Sequence, residues 1–277
     1  MSISAQDVNK LRQLTGAGMM DCKKALTESN GDFEAAIDIL RKKGQKVSAA
    51  RSGNATSEGI ILTEISSDGA NGKLLAFACE TEPVSKTDLF RELGKSIFEV
   101  AVSKNAKTVE EILGYSLADG RTVEENIVDL TGKIGEKIVI SSYENVTSEK
   151  IIDYVHSNGK LGVLVALQNV GGADVAEVGK DVAMQIAAMK PIAVDKEGVD
   201  ASVIEREIEV GKEQARAEGK PEAMLEKIAL GKLNKFYKEN TLLNQEFVKD
   251  PSLTIAQLLE KTSKGLTVSE FKRIALG

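Results

Sequence analysis

The sequence predicts an α+β protein with a small helical module, a two-part core and a projecting antiparallel helix pair. Three observations support this class. Apolar residues recur at helical spacing through residues 1–45, as is typical of short amphipathic helices. Two later stretches each read as a β-hairpin followed by a helix, which suggests two similar core halves. Residues 201–240 contain two long, charged helical patterns with little apolar surface.

The first helix is predicted to follow Ser4, a good N-cap residue, and to end at Gly16, which can adopt a left-handed conformation. Its apolar stripe comprises Val8, Leu11 and Leu14.

A second helix is predicted over residues 19–29, and a third follows Asp32 as N-cap and ends at Gly44. The buried face of the third comprises Phe33, Ala36, Ile37 and Leu40. Residues 1–45 therefore predict a three-helix bundle near the lower size limit for independent folding. The small and polar residues of 46–57 predict a linker.

The first core half is predicted at residues 58–145. Its expected elements are strands at 59–65 and 73–79, a helix at 87–103, two short helices opened by the capping-box patterns Thr108–Glu111 and Thr122–Glu125, and a strand at 133–141.

The second core half is predicted at residues 146–200, with 241–277 returning to it. Its expected elements are a hairpin of 151–156 and 160–167 around Asn158-Gly159, a helix at 174–189 ended by Pro191, a helix at 255–259 and a last strand at 266–276. Between them, a helical hairpin is predicted from helices at 202–218 and 221–237, with Pro221 at the first helical position and a thin stripe of Val203, Ile208 and Ala215.

Composition limits the function classes. The net charge of −6 argues against general nucleic-acid binding. The two cysteines fit a reducing compartment and indicate neither a disulfide framework nor a metal cluster. The chain opens without a secretory signal pattern and has no apolar run long enough to span a membrane, so we expect a soluble, cytoplasmic protein that does not act on membranes.

The stretch TGAGMMDCKKAL, residues 15–26, has an unusual pair of methionines at the start of a helix. Met19 and Met20 precede Lys23 and Lys24 by one turn, so at least one methionine side chain lies at the edge of the buried stripe or outside it. An unbranched, polarizable side chain near the surface suits a partner groove. Alternatively, both methionines complete a small core.

This stretch is similar to the N-terminal signature of the elongation factor Ts family, the guanine-nucleotide exchange factors that act on elongation factor Tu. The similarity continues through nearly the whole chain, at ESNGDFEAAIDILRKKG (28–44), KIGEKI (133–138), GVLVA (162–166) and VAMQIAAMKP (182–191). The bundle also resembles a ubiquitin-associated module, a type that usually binds another protein. The resemblance implies that Met19, Met20 and Lys23 contact the GTPase.

The resemblance also implies a working segment at Thr81, Glu82, Pro83 and Val84, where the family pattern is Thr-Asp-Phe-Val. In the family, the acid and the aromatic residue insert between two helices of the GTPase and help to displace its Mg²⁺. Glu82 keeps the acid with a longer side chain, whereas Pro83 replaces the aromatic residue. Three interpretations follow: Pro83 still separates the partner helices, the protein binds but exchanges nucleotide slowly, or Pro83 merely begins a helix.

His156 is the single histidine, beside the predicted hairpin turn. It is either a solvated turn residue or a contact to a second domain of the partner, as the resemblance implies. The sequence contains no GxxxxGK[ST] motif and no GxGxxG after a strand, and one histidine leaves little room for a triad or a zinc site. We therefore predict no catalytic residues, no metal site and no cofactor.

The predicted function is guanine-nucleotide exchange on elongation factor Tu, without covalent chemistry. One alternative is an interaction module that binds a GTPase without accelerating exchange, and a second is an enzyme with a deep pocket of perturbed ionisable groups. The helical hairpin is in addition a candidate surface for homodimer formation.

Overall fold

The protein, described by a computed structural model over residues 3–277, contains both helices and sheets, which confirms the α+β class. The helices are α1 Ala5–Thr15, α2 Met19–Glu28, α3 Phe33–Arg51, α4 Glu82–Ser85, α5 Asp88–Ser103, α6 Val109–Gly114, α7 Val123–Ile134, α8 Ala176–Met189, α9 Ala201–Ala217, α10 Glu222–Asn240 and α11 Ile255–Thr262. The strands are β1 Glu58–Ile65, β2 Asn71–Cys79, β3 Ile138–Thr147, β4 Lys150–Val155, β5 Leu161–Gln168, β6 Glu246–Phe247, β7 Asp250–Thr254 and β8 Thr267–Ala275.

Two three-stranded antiparallel sheets form the centre of the molecule, in the orders β1-β2-β3 and β4-β5-β8. Both predicted hairpins are present, and the last strand pairs with β5, as the sequence predicts. β6 and β7 form a separate two-stranded sheet that the sequence analysis did not predict.

The two large sheets pack on one another through a shared apolar layer that includes Ile61, Leu74, Ile151 and Leu164. Because these four side chains are almost completely buried, each contributes about 1.5–3 kcal/mol to the free energy of unfolding. The two halves therefore share one core layer between their sheets.

Each half also has a core of its own. In the first, α5 covers the sheet, and the rings of Phe77 and Phe90 stack with centroids 4.5 Å apart. In the second, α8 and α11 pack on the sheet around Val163, Ile186 and Leu259.

The N-terminal bundle begins with a capping box, in which the Asp7 amide donates to Ser4 Oγ at 3.1 Å and the Ser4 amide donates to the Asp7 carboxylate at 3.2 Å. Gly16 ends α1 with a φ of 68°, as predicted. Leu14, however, was predicted to be buried and is exposed. The reason is the turn after α1, which places Ala17 over the end of the bundle core instead.

The predicted end of the third helix at Gly44 is wrong, because α3 continues to Arg51. Gly44 is buried in the middle of the helix, where it lies against Gly132 of α7. It therefore acts as a point of close helix approach and not as a helix stop. The predicted linker at 46–57 is correspondingly shortened, since only residues 52–57 lie between α3 and β1.

The approach of α3 to α7 is very close. A Cβ atom added at Gly132 would lie 2.5 Å from the Cα of Gly44, a separation that real Cβ atoms do not show. Charged side chains surround this contact: Lys133 and Arg121 both pair with Asp129, at 2.9 and 3.5 Å. The bundle is thus packed directly on the first core half.

Two further predictions for the first core half need correction. The strand expected at 133–141 begins only at Ile138, because α7 extends to Ile134. The capping box at Thr122–Glu125 is present. At α6 only one of the two capping-box hydrogen bonds forms, in which Thr108 Oγ1 accepts from the Glu111 amide. The Glu111 carboxylate accepts from the Lys107 amide and not from that of Thr108.

The helical hairpin of α9 and α10 packs mainly on itself. Of the predicted stripe only Ala215 is buried, because the contact runs through Gly211, Ala215 and Ala229, where small side chains let the two helices approach. Pro221 is the N-cap of α10 and not its first helical residue as predicted, because the helix begins at Glu222. None of the helices within residues 3–277 is both long and apolar enough to cross a bilayer.

We predict that Gly132→Ala lowers the free energy of unfolding by about 1–3 kcal/mol, because the new methyl group must push α7 away from α3. Gly231→Ala is the matched control, since nothing lies within 4 Å of its added Cβ in α10. There the same substitution should stabilise the protein by up to about 1 kcal/mol. Urea unfolding followed by circular dichroism measures both values, and equal effects of the two substitutions would contradict the prediction.

Candidate functional site

The segment Thr81–Val84, here called the tip segment, joins the end of β2 to α5. It forms the start of a one-turn helix, α4, with Thr81 as N-cap and Pro83 in the first turn. Proline fits there because the first helical amides have no carbonyl partner within the helix. Of the three interpretations of Pro83, the position at the start of a helix is the one that the structure contains.

The four residues of the tip segment do not all face outward. Thr81, Glu82 and Pro83 are exposed, whereas Val84 is buried in the core of the first half together with Phe90. Val84 therefore anchors the segment, and the neighbouring Ser85 is buried as well. The surface offered to a partner consists of a hydroxyl, a carboxylate and a proline ring.

The carboxylate of Glu82 accepts from Lys86 at 2.8 Å. This hydrogen bond and the positive charge of Lys86 lower the pKa of Glu82, so the residue is ionised at neutral pH. Both side chains are largely exposed, and the pair therefore adds little to stability. The pair places an ionised carboxylate beside an ammonium group at the surface.

Hydrogen bonds from Thr81 also attach the tip segment to the loop before β3. Thr81 donates to both carboxylate oxygens of Glu136, through Oγ1 at 2.7 Å and through its amide at 3.1 Å. Glu136 lies in the loop between α7 and β3.

Leu89 is a further exposed residue that the sequence analysis missed. It is the second residue of α5 and 58% exposed, beyond the buried face formed by Phe90 and Ile97. The available signal was its position directly after the Thr87-Asp88 start of the helix and outside the apolar repeat.

The second candidate region lies at one end of the bundle. Met19 and Met20 are 52% and 65% exposed, so both side chains lie outside the buried stripe, and Lys23 is exposed as well. Leu14, 63% exposed, lies on the other side of the same turn. Three large apolar side chains and a lysine thus occupy adjoining helix ends without packing into the bundle core.

The third region is the turn between β4 and β5. His156 is exposed, and its Nδ1 lies 2.8 Å from the Tyr154 hydroxyl. The turn itself is closed by the bond from the Gly159 amide to the His156 carbonyl. The structure therefore places the predicted site residues on three separate elements: the tip segment, α2 and this turn.

Neither thiol is placed to act as a nucleophile. Burial raises the pKa of Cys79 to about 12, and its Sγ donates to the Thr81 carbonyl at 3.3 Å. Cys22 is buried in the bundle. Within residues 3–277, no group of three His, Cys, Asp or Glu side chains is arranged to hold a metal ion.

Comparison with known proteins identifies the family. The family model described as elongation factor TS matches residues 80–277. Elongation factor Ts of Cytophaga hutchinsonii is 68% identical over 99% of this chain and 99% of its own, and that of Amoebophilus asiaticus is 55% identical over the full length of both. Elongation factor Ts of Clostridium botulinum is 43% identical over 99% of this chain and 92% of its own. The chain therefore belongs to the elongation factor Ts family, and its role is that of a translation elongation factor.

Proposed function

We propose that this protein is a guanine-nucleotide exchange factor that binds elongation factor Tu in its GDP form and promotes GDP release in the cytoplasm. The observation that carries the proposal is the tip segment. It presents an ionised carboxylate and a rigid proline ring at the surface, on a base that is buried in the core.

The proposed mechanism needs no covalent chemistry. A P-loop GTPase holds GDP through backbone amides, a lysine and Mg²⁺. A negative charge brought close to the phosphates opposes nucleotide binding, and a rigid group inserted beside the metal site displaces its ligands. By thermodynamic reciprocity, nucleotide then weakens the hold of the exchange factor on the GTPase by the same factor.

The other two regions supply binding. In this proposal Met19, Met20 and Lys23 grip the nucleotide-binding domain of the partner, and Leu14 extends that apolar surface. His156 engages a second domain from the opposite core half. These surfaces hold the tip segment against the phosphate site for the time that GDP needs to leave.

A second candidate function is binding without accelerated exchange. Pro83 favours it, because a proline ring buries less apolar surface than the phenylalanine of the family pattern. At about 25 cal/mol per Å² the difference approaches 1–2 kcal/mol of insertion energy, or about tenfold in rate.

We predict that Pro83→Phe speeds GDP release up to about tenfold, since a larger apolar group separates the partner helices more strongly. The measurement is stopped-flow release of fluorescent GDP from elongation factor Tu at saturating exchange factor. Val248→Phe, which adds an exposed ring in the turn between β6 and β7, is the control and should leave the rate unchanged. An unchanged or slower rate for Pro83→Phe argues against the insertion mechanism.

For the bundle, we predict that the double substitution Met19→Ala with Met20→Ala raises the half-saturating concentration of exchange factor by about tenfold or more. The maximal release rate should change little, because the tip segment is intact. Met189→Ala removes a comparably exposed methionine from the end of α8 and should have no effect. A lower maximal rate at unchanged half-saturation would show that the methionines act in exchange and not in binding.

We also propose self-association through the helical hairpin, where Val210, Met224 and Leu230 are exposed. Sedimentation velocity should then show a dimer that the substitution Met224→Lys converts to the monomer of 29.7 kDa. A monomer at every concentration up to about 100 µM, well above a micromolar dissociation constant, speaks against this surface.

A further inference from the structure

Glu80, the residue immediately before the tip segment, connects three parts of the chain. The guanidinium of Arg51, the last residue of α3, donates to its two carboxylate oxygens at 3.2 and 3.0 Å. The side-chain amide of Asn54 donates to the same carboxylate at 2.9 Å. The backbone amide of Lys137, in the loop before β3, donates at 2.6 Å.

This carboxylate is a strong acceptor. The hydrogen bond from the Lys137 amide, followed by those from Asn54 and Arg51, lowers the pKa of Glu80, so the group is ionised at neutral pH. Its side chain is only 16% exposed. Hydrogen bonds to an ionised and largely covered group are about twice as strong as those between neutral groups.

A second set of bonds joins the same parts of the chain. The Lys137 ammonium donates to the carbonyls of Ser52 and Asn54 at 2.6 and 2.9 Å. Glu136, the residue before Lys137, accepts from Thr81. The end of α3, the tip segment and the loop before β3 are thus braced against one another at two adjacent points.

We propose that Glu80 is a positioning residue for nucleotide exchange: through Arg51 it fixes the tip segment relative to the helix that carries the bundle. The inference rests on the proposed function. The bundle grips the partner at one end and α3 runs to the tip segment at the other. The bond between Glu80 and Arg51 transmits the docked position of the bundle to Glu82 and Pro83. Without it, the protein still docks and Val84 and Thr81 still anchor the tip segment to the first core half, but the segment is fixed less tightly relative to α3.

The test uses the full-length variant Glu80→Gln, which keeps the shape of the side chain and removes its charge. Stopped-flow GDP release from elongation factor Tu, measured against exchange-factor concentration, separates docking from positioning. We expect the maximal rate to fall about tenfold, while the half-saturating concentration stays within about threefold.

The matched control is Asp181→Asn. Asp181 is 17% exposed and accepts from Lys249 at 2.7 Å, so the change removes one carboxylate charge from a similarly covered ion pair in the second core half. It should alter neither the maximal rate nor the half-saturating concentration. A general loss of stability would affect both variants, and their thermal unfolding midpoints measure it.

Arg51→Gln and the double variant test whether the pair acts as one unit. Each single substitution should cost about tenfold in maximal rate, and the double variant about tenfold as well, because both remove the same contact. An additive loss of about a hundredfold would overturn the coupling.

Amide hydrogen exchange in the free protein tests the positioning role of Glu80 separately from the proposed nucleotide-exchange function. In Glu80→Gln, the hydrogen-bonded amides of Thr81, Ser85, Lys86 and Thr87 should exchange with solvent deuterium faster than in the unmodified protein, and in Asp181→Asn they should not. If Glu80→Gln leaves the amide hydrogen exchange of this segment unaltered, or leaves the maximal rate of GDP release unaltered, the positioning role is overturned. If the unmodified protein fails to accelerate GDP release, the proposed function fails, whereas the hydrogen-exchange comparison still decides whether Glu80 fixes the tip segment.

Discussion

The arrangement of the candidate binding surfaces depends on the contact between α3 and α7. Two glycines, Gly44 and Gly132, allow the helix backbones to approach so closely that a single added methyl group has no space. The contact turns what the sequence presents as a separate module and linker into a packed extension of the core. Since α3 continues unbroken to Arg51, the bundle and the tip segment are joined by a stiff element and by a network of charged hydrogen bonds. The proposed mechanism benefits from such stiffness, because a flexible link would have to lose conformational entropy before the tip segment could be held in one position.

Most of the fold was predictable from the sequence. The hairpins, the helices that follow them and the last strand all have clear periodic patterns and turn residues, such as Asn158-Gly159. The mistakes have a common physical origin in tertiary contacts. Glycine often ends a helix, but Gly44 lies inside α3, where it allows the close approach of Gly132. No local sequence pattern indicates a contact with a residue 88 positions away. Leu14 fits the stripe of its helix, but the following turn covers the core with Ala17.

The candidate site was predictable only in part. The sequence identified the tip segment and the methionine pair by resemblance and spacing, and the structure places Met19, Met20 and Pro83 at the surface. It did not reveal that Val84 points into the core, because a valine before a helix suits either environment. Nor did it reveal the contacts of Glu80. Its partners Arg51 and Lys137 lie 29 and 57 residues away, and side-chain pairs at such separations leave no periodic signal.

The burial of Cys79 makes the thiol next to the tip segment unreactive. Oxidants and alkylating reagents attack the thiolate, and a pKa of about 12 leaves almost none of that species at neutral pH. The Cys79 side chain is fully covered and its sulfur donates to the Thr81 carbonyl, so a reagent reaches the sulfur only when the end of β2 opens away from its neighbours. In the folded protein, peroxide and alkylating reagents should therefore react with this thiol much more slowly than with an exposed cysteine.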